Sequence, residues 1–364
     1  MSPFPRPGYE RLTRYLPDRR PVALDLSDNT NMWGAHPAAL EVLARFAEED
    51  VCKYPSLYAD DLRDAAAARV GATPEHITTG SGSDDVIDSI FAASGGSEED
   101  RVSVVAPTFS MTVPLALMNG TEARVCGWGE ALADPGLLLA GDPSVIYVCR
   151  PNNPTGSMAP FEWVQEIVDA CEDGPLVVVD EAYIDYGGKS FAPQATEHPR
   201  LVVTRTMSKA FGLAGLRVGW AVGTPETVVE IEKARGPYKV SRLSAAAAAA
   251  ALADESGWLE RTVAECNENR ARCEAELERR GLAPLPSHTN FMFFRAPSDD
   301  ARADADGLRQ HGVALRPFPG VYPGGGDGLR CSVGPWPLME TFLEALDTYT
   351  ASLERRPEAR EAAS

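Results

Sequence analysis

Lys209 lies in the stretch Thr204-Arg205-Thr206-Met207-Ser208-Lys209-Ala210-Phe211-Gly212, with Arg217 eight positions further on. An amine among hydroxyls and small residues, with a guanidinium nearby, suits a Schiff base with an aldehyde cofactor whose phosphate is held alongside. Two upstream segments could complete such a site: Arg150-Pro151-Asn152-Asn153-Pro154-Thr155-Gly156 and Val177-Val178-Val179-Asp180-Glu181-Ala182-Tyr183. Asp180 ends an apolar run. A buried carboxylate there would favour the protonated form of a base bound against it; the plainer reading is a cap on the next element. Gly82-Ser83-Asp84 precedes Val86, Ile87, Ile90 and Phe91, so its backbone N–H groups would open a helix and cradle an anion. Thr206, Ser208 and Arg217 would supply the other phosphate donors. Arg217 sits between Leu216, Val218 and Trp220, an unusual setting for an ordinary surface ion pair. Taken alone, Asn153 is a turn residue before proline, and Phe109, in Pro107-Thr108-Phe109, is a core aromatic.

The elements that must position these residues are short and apolar. Runs 102–106, 145–149, 176–179 and 201–204 are β-branched and each meets a polar or Pro/Gly turn, which predicts a mostly parallel sheet covered on both faces by helices, an α/β fold. Ligands of such sheets bind beyond the carboxyl ends of the strands, where Asn153, Asp180 and 206–209 fall. Helices are expected over 37–49 and 62–70, the latter closed by Gly71. The alanine run 244–252, next to Trp258, Leu259 and Val263, predicts one long packed helix. Strands at 290–295, 313–316 and 329–333 with a helix over 338–353 predict a smaller α+β domain, and a charged, frayed tail is expected past Arg355. The first thirty-odd residues read as an arm crossing the surface. The expected division is therefore an arm at 1–35, a large domain at 36–250 and a small domain at 251–364.

Composition bounds the rest. The chain has 364 residues, 44% hydrophobic and 24% charged, enough for two cores in a soluble protein. Neither a signal peptide nor a membrane-spanning run is visible. Seven cysteines without a Cys-x-x-Cys pair indicate reduced thiols in the cytoplasm and no metal site, and Cys266 and Cys273 read as buried hydrophobes. A net charge of −19 argues against nucleic acid as partner but not against an anionic small substrate. Two glycine-rich stretches mimic nucleotide motifs and fail them: Gly187-Gly188-Lys189-Ser190 lacks the first P-loop glycine, and Gly80-Ser81-Gly82-Ser83-Asp84-Asp85 has Asp85 in place of a third glycine.

The lysine, Asn-Pro and Asp-x-x-Tyr segments, in this order, resemble the site of the fold-type-I pyridoxal-phosphate aminotransferases, and of the histidinol-phosphate aminotransferase family in particular. The resemblance runs from about Leu24 to Gly334. It implies that Lys209 carries the cofactor and shuttles the proton and that Asp180 holds the ring nitrogen. Asn153 and Tyr183 would bond the cofactor's phenolate, and Phe109 would stack on its ring. Ser83, Asp84, Thr206, Ser208 and Arg217 would surround its phosphate. Tyr54, in Lys53-Tyr54-Pro55, would reach the phosphate of a neighbouring subunit in a homodimer with shared sites. Arg330 would take the substrate's acidic group, Arg316 a substrate phosphate, and Asn31 would also touch substrate, while Asn290 is as much a structural support. An amino donor and a keto acceptor are the implied partners.

This chain departs from the family pattern on the substrate side, with Thr30 and Trp33 in Asn29-Thr30-Asn31-Met32-Trp33-Gly34, Thr112, Lys239 in Pro237-Tyr238-Lys239-Val240-Ser241, and Pro335-Trp336-Pro337. Trp33 is expected to add bulk near the mouth of the site. Rival readings on the same scaffold are a threonine-phosphate-type decarboxylase, an oxygen-using oxidase or cyclase, an aminotransferase of specialised metabolism and a cofactor-binding regulatory module.

Overall fold

The computed structural model describes Phe4 and residues 9–95 and 101–354. A seven-stranded sheet carries the site. In spatial order its strands are Ile77–Gly80, Gly219–Val222, Leu201–Thr206, Leu176–Asp180, Val145–Cys149, Arg101–Ala106 and Glu122–Gly127. Only Gly219–Val222 runs antiparallel to its neighbours. The central strands are buried on both faces, so they read as continuous apolar runs rather than alternating ones. The chain leaves Arg101–Ala106 for the edge strand Glu122–Gly127 and returns on the opposite side at Val145–Cys149. That reversal opens a crevice at the carboxyl ends of the strands.

Three strands of this sheet lie outside those predicted: Ile77–Gly80, Glu122–Gly127 and Gly219–Val222. The first and third are four-residue pieces rich in Gly, Thr and Trp, and the second is a largely solvent-facing edge whose Glu122 and Arg124 break the apolar signal. The expected helix over 37–49 is two helices, Pro37–Leu43 and Glu48–Cys52. The chain is extended at Ala47, whose N–H donates to the Asp50 carboxylate at 3.1 Å. The alanine-rich helix Arg242–Leu252 is capped by Ser241 and separate from Trp258–Arg279. Gly257 in the left-handed region (φ 74°) breaks the expected continuity. Helix Asp60–Val70 does close on left-handed Gly71.

A second, antiparallel sheet has Gly326–Ser332 at its centre between Arg316–Tyr322 and Phe291–Arg295, so the expected strand 313–316 is split: Val313–Ala314 belongs to a separate pairing, and a new strand begins at Arg316. Helices Ala301–Gln310 and Trp336–Glu354 belong to the same part of the chain, and Leu24–Asp25 pairs in parallel with Val313–Ala314. The tail past Arg355 lies outside the described residues. Among the described residues every cysteine is free, and no helix is long and apolar enough to cross a membrane.

Candidate active site

A cavity of about 340 Å³ opens where the carboxyl ends of the parallel strands face the second sheet. Of the residues singled out from sequence, Ser83, Asp84, Phe109, Asn153, Asp180, Tyr183, Thr206, Ser208, Lys209, Arg217, Arg316 and Arg330 all line it. Residues from positions 83 to 330 meet there because each lies just past a strand end, at the start of a helix or on a strand facing the crevice.

At the floor, the strand ending in Asp180 buries its carboxylate. One oxygen accepts the Tyr147 hydroxyl at 2.6 Å, and the other accepts Thr204 Oγ1 and the Ala182 N–H, both at 3.1 Å. Burial raises the Asp180 pKa, and these three donors oppose it by stabilising the anion. Burial also pushes up the Cys149 thiol and the Tyr183 phenol on the same wall. Tyr183 accepts the Asn29 amide at 2.9 Å and stacks edge-on against Phe291.

Lys209 follows the strand Leu201–Thr206, and its Nζ donates to the Asp28 carbonyl at 3.5 Å. Burial first, and then the charge of Arg330, lower its pKa to about 8 from an ordinary 10.5. A larger share of the amine is therefore neutral and nucleophilic at moderate pH. Cofactor-free protein should capture an aldehyde at Lys209 with a rate that rises with pH and levels off above about 8. Stopped-flow mixing at a series of pH values checks this; a rate still climbing steeply past pH 10 would contradict it.

The other end of the cavity is built for an anion. Helix Ser83–Ser94 starts there, preceded by Gly82 at φ +87°, and its first N–H groups carry the positive end of the helix dipole. A Cβ on Gly82 would run into the Arg217 guanidinium, and one on Gly219 into the backbone of Gly82 and Ser83. Arg217 reaches Asp84 at 3.5 Å and Ser208 Oγ at 3.5 Å. Thr206 Oγ1 accepts the Ser208 N–H at 3.1 Å, which fixes the turn before the lysine.

The second sheet supplies the arginine pair. Arg316 and Arg330 are cross-strand partners. Arg330 is buried, donating to Asn153 Oδ1 at 2.6 Å and to the Ser27 carbonyl at 2.7 Å, while its Nε has no partner among the described residues. Burial lowers its pKa to about 10, so it stays charged at neutral pH. Arg316 donates to the Tyr15 hydroxyl at 3.0 Å.

Several expected residues lie elsewhere. Asn31 does not line the cavity: its amide donates to the Lys209 and Ala210 carbonyls, and its oxygen accepts from Trp33, so it pins the lysine turn. Trp33 packs against the core rather than at the mouth. Thr112 is buried, donating to the Phe109 carbonyl. Lys239 pairs with Asp85 at 2.7 Å, outside the cavity wall. Asn290 supports the Asn29 carbonyl at 3.1 Å. Tyr54 is 79% exposed, stacked on Tyr238 at 4.9 Å, with Val51 and Leu57 also exposed. Conversely, Tyr15, Asp28, Asn29, Thr108, Ser110 and Phe318 line the cavity without having been singled out. Asn29 was visible only as the first residue of a motif; Tyr15 and Asp28 carry no local signal.

Residues 21–346 match the family model for class I and II aminotransferases. The chain belongs to that family. A histidinol-phosphate aminotransferase of Citrifermentans bemidjiense is 31% identical over 345 residues, 94% of this chain and 97% of its own length. Histidinol-phosphate aminotransferase 2 of Methylococcus capsulatus is 35% identical over 363 residues, covering 94% of this chain and 96% of that protein. Among solved structures, the histidinol-phosphate aminotransferase of Sinorhizobium meliloti in complex with pyridoxal-5'-phosphate superposes with a TM-score of 0.86 at 28% identity, over 97% of this chain and 99% of that one. The fold is that of the fold-type-I aminotransferases, and the protein is an aminotransferase enzyme.

Proposed function

We infer that this aminotransferase acts on an amino-alcohol phosphate or an α-amino acid, with histidinol phosphate, and hence histidine biosynthesis, first among the candidates. The observation that carries the reading is the shared cavity itself. A lysine amine lowered to about 8, a buried carboxylate, a helix N-terminus with its arginine, and a cross-strand arginine pair all face one space. The cofactor is pyridoxal 5'-phosphate, and the residues present fit it. Gly82 and Gly219 leave no room for a Cβ beside the anion end, while the orphaned Arg330 Nε and Asn29 Oδ1 are buried polar atoms still wanting partners. When bound, the cofactor supplies a cationic ring that accepts the electrons of the broken Cα–H bond.

The remaining work falls to side chains of this chain. Lys209 would bind the cofactor's aldehyde and, once displaced by the donor's amine, hold the Cα proton at Nζ and return it. Asp180 would keep the ring nitrogen protonated, Asn153 and Tyr183 would orient the ring hydroxyl, and Phe109 would lie against the ring. The backbone N–H groups of Ser83 and Asp84, with Thr206, Ser208 and Arg217, would secure the phosphate, and Arg330 and Arg316 the donor's anionic groups. In this reading the cavity lies between a large domain, 36–250, and a small one, 251–364. The exposed Tyr54, stacked on Tyr238, would complete the phosphate site of a second copy in a homodimer, and the free cysteines suit a cytoplasmic enzyme.

Purified yellow protein mixed with histidinol phosphate and with aromatic, basic and acidic amino acids should bleach to the amine form of the cofactor, fastest with the true donor. Carbon dioxide release or oxygen uptake in place of a keto product would assign the decarboxylase or oxidase reading instead. Arg316→Ala should cost the preferred donor about 10–100-fold in kcat/KM, since a charged hydrogen bond to its anion is lost. An unchanged value would make Arg316 structural.

A further inference from the structure

Among the described residues the cavity wall carries four cationic side chains, Lys209, Arg217, Arg316 and Arg330, and three carboxylates, Asp28, Asp84 and Asp180. Two of the carboxylates are accounted for. Asp84 faces Arg217 at the anion end, and Asp180 is held at the floor by Tyr147, Thr204 and Ala182. Asp28 is on the donor's side of the cavity. Its carbonyl lies 3.5 Å from Lys209 Nζ, and its charge raises the basicity of both Lys209 and Arg330, so the carboxylate is close to the reacting amine and to the buried arginine.

The Asp28 side chain keeps 26% of its surface open and pairs with Arg19, whose own side chain is 65% exposed. An ion pair that open contributes little and is readily exchanged for another partner. The same N-terminal stretch lays Tyr15 on Arg316, so the stretch borders the donor's side of the cavity at two points.

We propose that Asp28 is a specificity-determining residue: its carboxylate accepts an N–H from a nitrogen base on the amino donor's side chain, while Arg316 and Arg330 take the donor's anionic end. The proposal rests on the aminotransferase reading and narrows its substrate class to donors carrying an imidazole, ammonium or guanidinium group in addition to the reacting amine. A donor with an apolar ring in that place strips water from the carboxylate and returns no hydrogen bond, and sites built around such a bond discriminate steeply.

The test pairs L-histidinol phosphate with L-phenylalaninol phosphate, which share the amine and the phosphate and differ in the ring. The ratio of their bleaching rates cancels any defect common to both donors. The native protein should favour the imidazole donor by about tenfold or more, and Asp28→Asn and Asp28→Ser should each cut that ratio about tenfold. Arg19→Ala should leave the ratio unchanged or raise it, because it frees the carboxylate. If the ratio survives both Asp28 variants, or if Arg19→Ala lowers it as they do, Asp28 only anchors the N-terminal stretch and the proposal falls. Calorimetric binding of 3-(imidazol-4-yl)propyl phosphate, which lacks the reacting amine, separates this idea from the proposed activity. If neither donor bleaches the native protein, that activity fails for amino-alcohol phosphates. Weaker binding of this probe to both Asp28 variants would still support Asp28 as the reader of the base, and equal binding would overturn it.

Discussion

Lys209→Ala is expected to abolish turnover while leaving the fold intact, the largest effect predicted for any single substitution here. The Lys209 amine lines the cavity and can both bond an aldehyde and carry a proton to and from the donor's Cα. Its removal also relieves a burial penalty, since a lysine whose pKa falls to about 8 is held charged at a cost below that pH. Borohydride reduction of the native protein should fix the cofactor on the peptide containing Lys209. Label recovered on any other lysine would remove the assignment. The same variant tests the shared site. Mixed with an inactive, disruptive Tyr54 variant, Lys209→Ala should recover part of the activity through hybrid dimers, because Tyr54 is turned outward beside Tyr238 rather than into its own cavity. A fully active monomer in sedimentation would refute that arrangement.

Asp180→Ala is expected to lower the rate by several orders of magnitude, because the proposed role of Asp180 is a preorganised charge opposite the ring nitrogen. Alanine also strands the Tyr147 hydroxyl, the Thr204 hydroxyl and the Ala182 N–H, each of which donates to this carboxylate. Leaving buried donors unpaired costs about 1–3 kcal/mol apiece, so part of any loss could be structural. Asp180→Asn separates the two effects. It keeps the size and an acceptor oxygen but removes the charge, so its rate should stay low while its melting temperature stays closer to native. An Asp180→Asn protein with near-native turnover would show that the carboxylate's charge is not what the cofactor uses.

Within the sequence itself, the chemistry at strand ends was legible. Asn153, Asp180 and Thr206–Lys209 each follow a short apolar run, and parallel strands bring their carboxyl ends to one edge whatever the loops do. The helix start at Ser83 was legible for a similar reason, since glycines before an amphipathic stretch mark a helix N-terminus. Local pattern could not place groups that reach the cavity across long stretches of chain. Arg316 and Arg330 become neighbours only through antiparallel register, fourteen positions apart in sequence and directly opposite in the sheet. Tyr15 and Asp28 sit in a stretch with no periodicity, and only its packing against the second sheet puts them beside the arginines and the lysine. Asn31 and Trp33 show the converse. Their motif pointed toward the substrate, yet the folded backbone uses Asn31 to bind the carbonyls of the lysine turn and packs a half-buried Trp33 against the core. Hydrogen-bonding groups are committed by whichever partner the fold brings within reach. The sequence by itself therefore determined which chemistry the cofactor end can support, and tertiary packing alone decided which side chains are left free to choose the substrate.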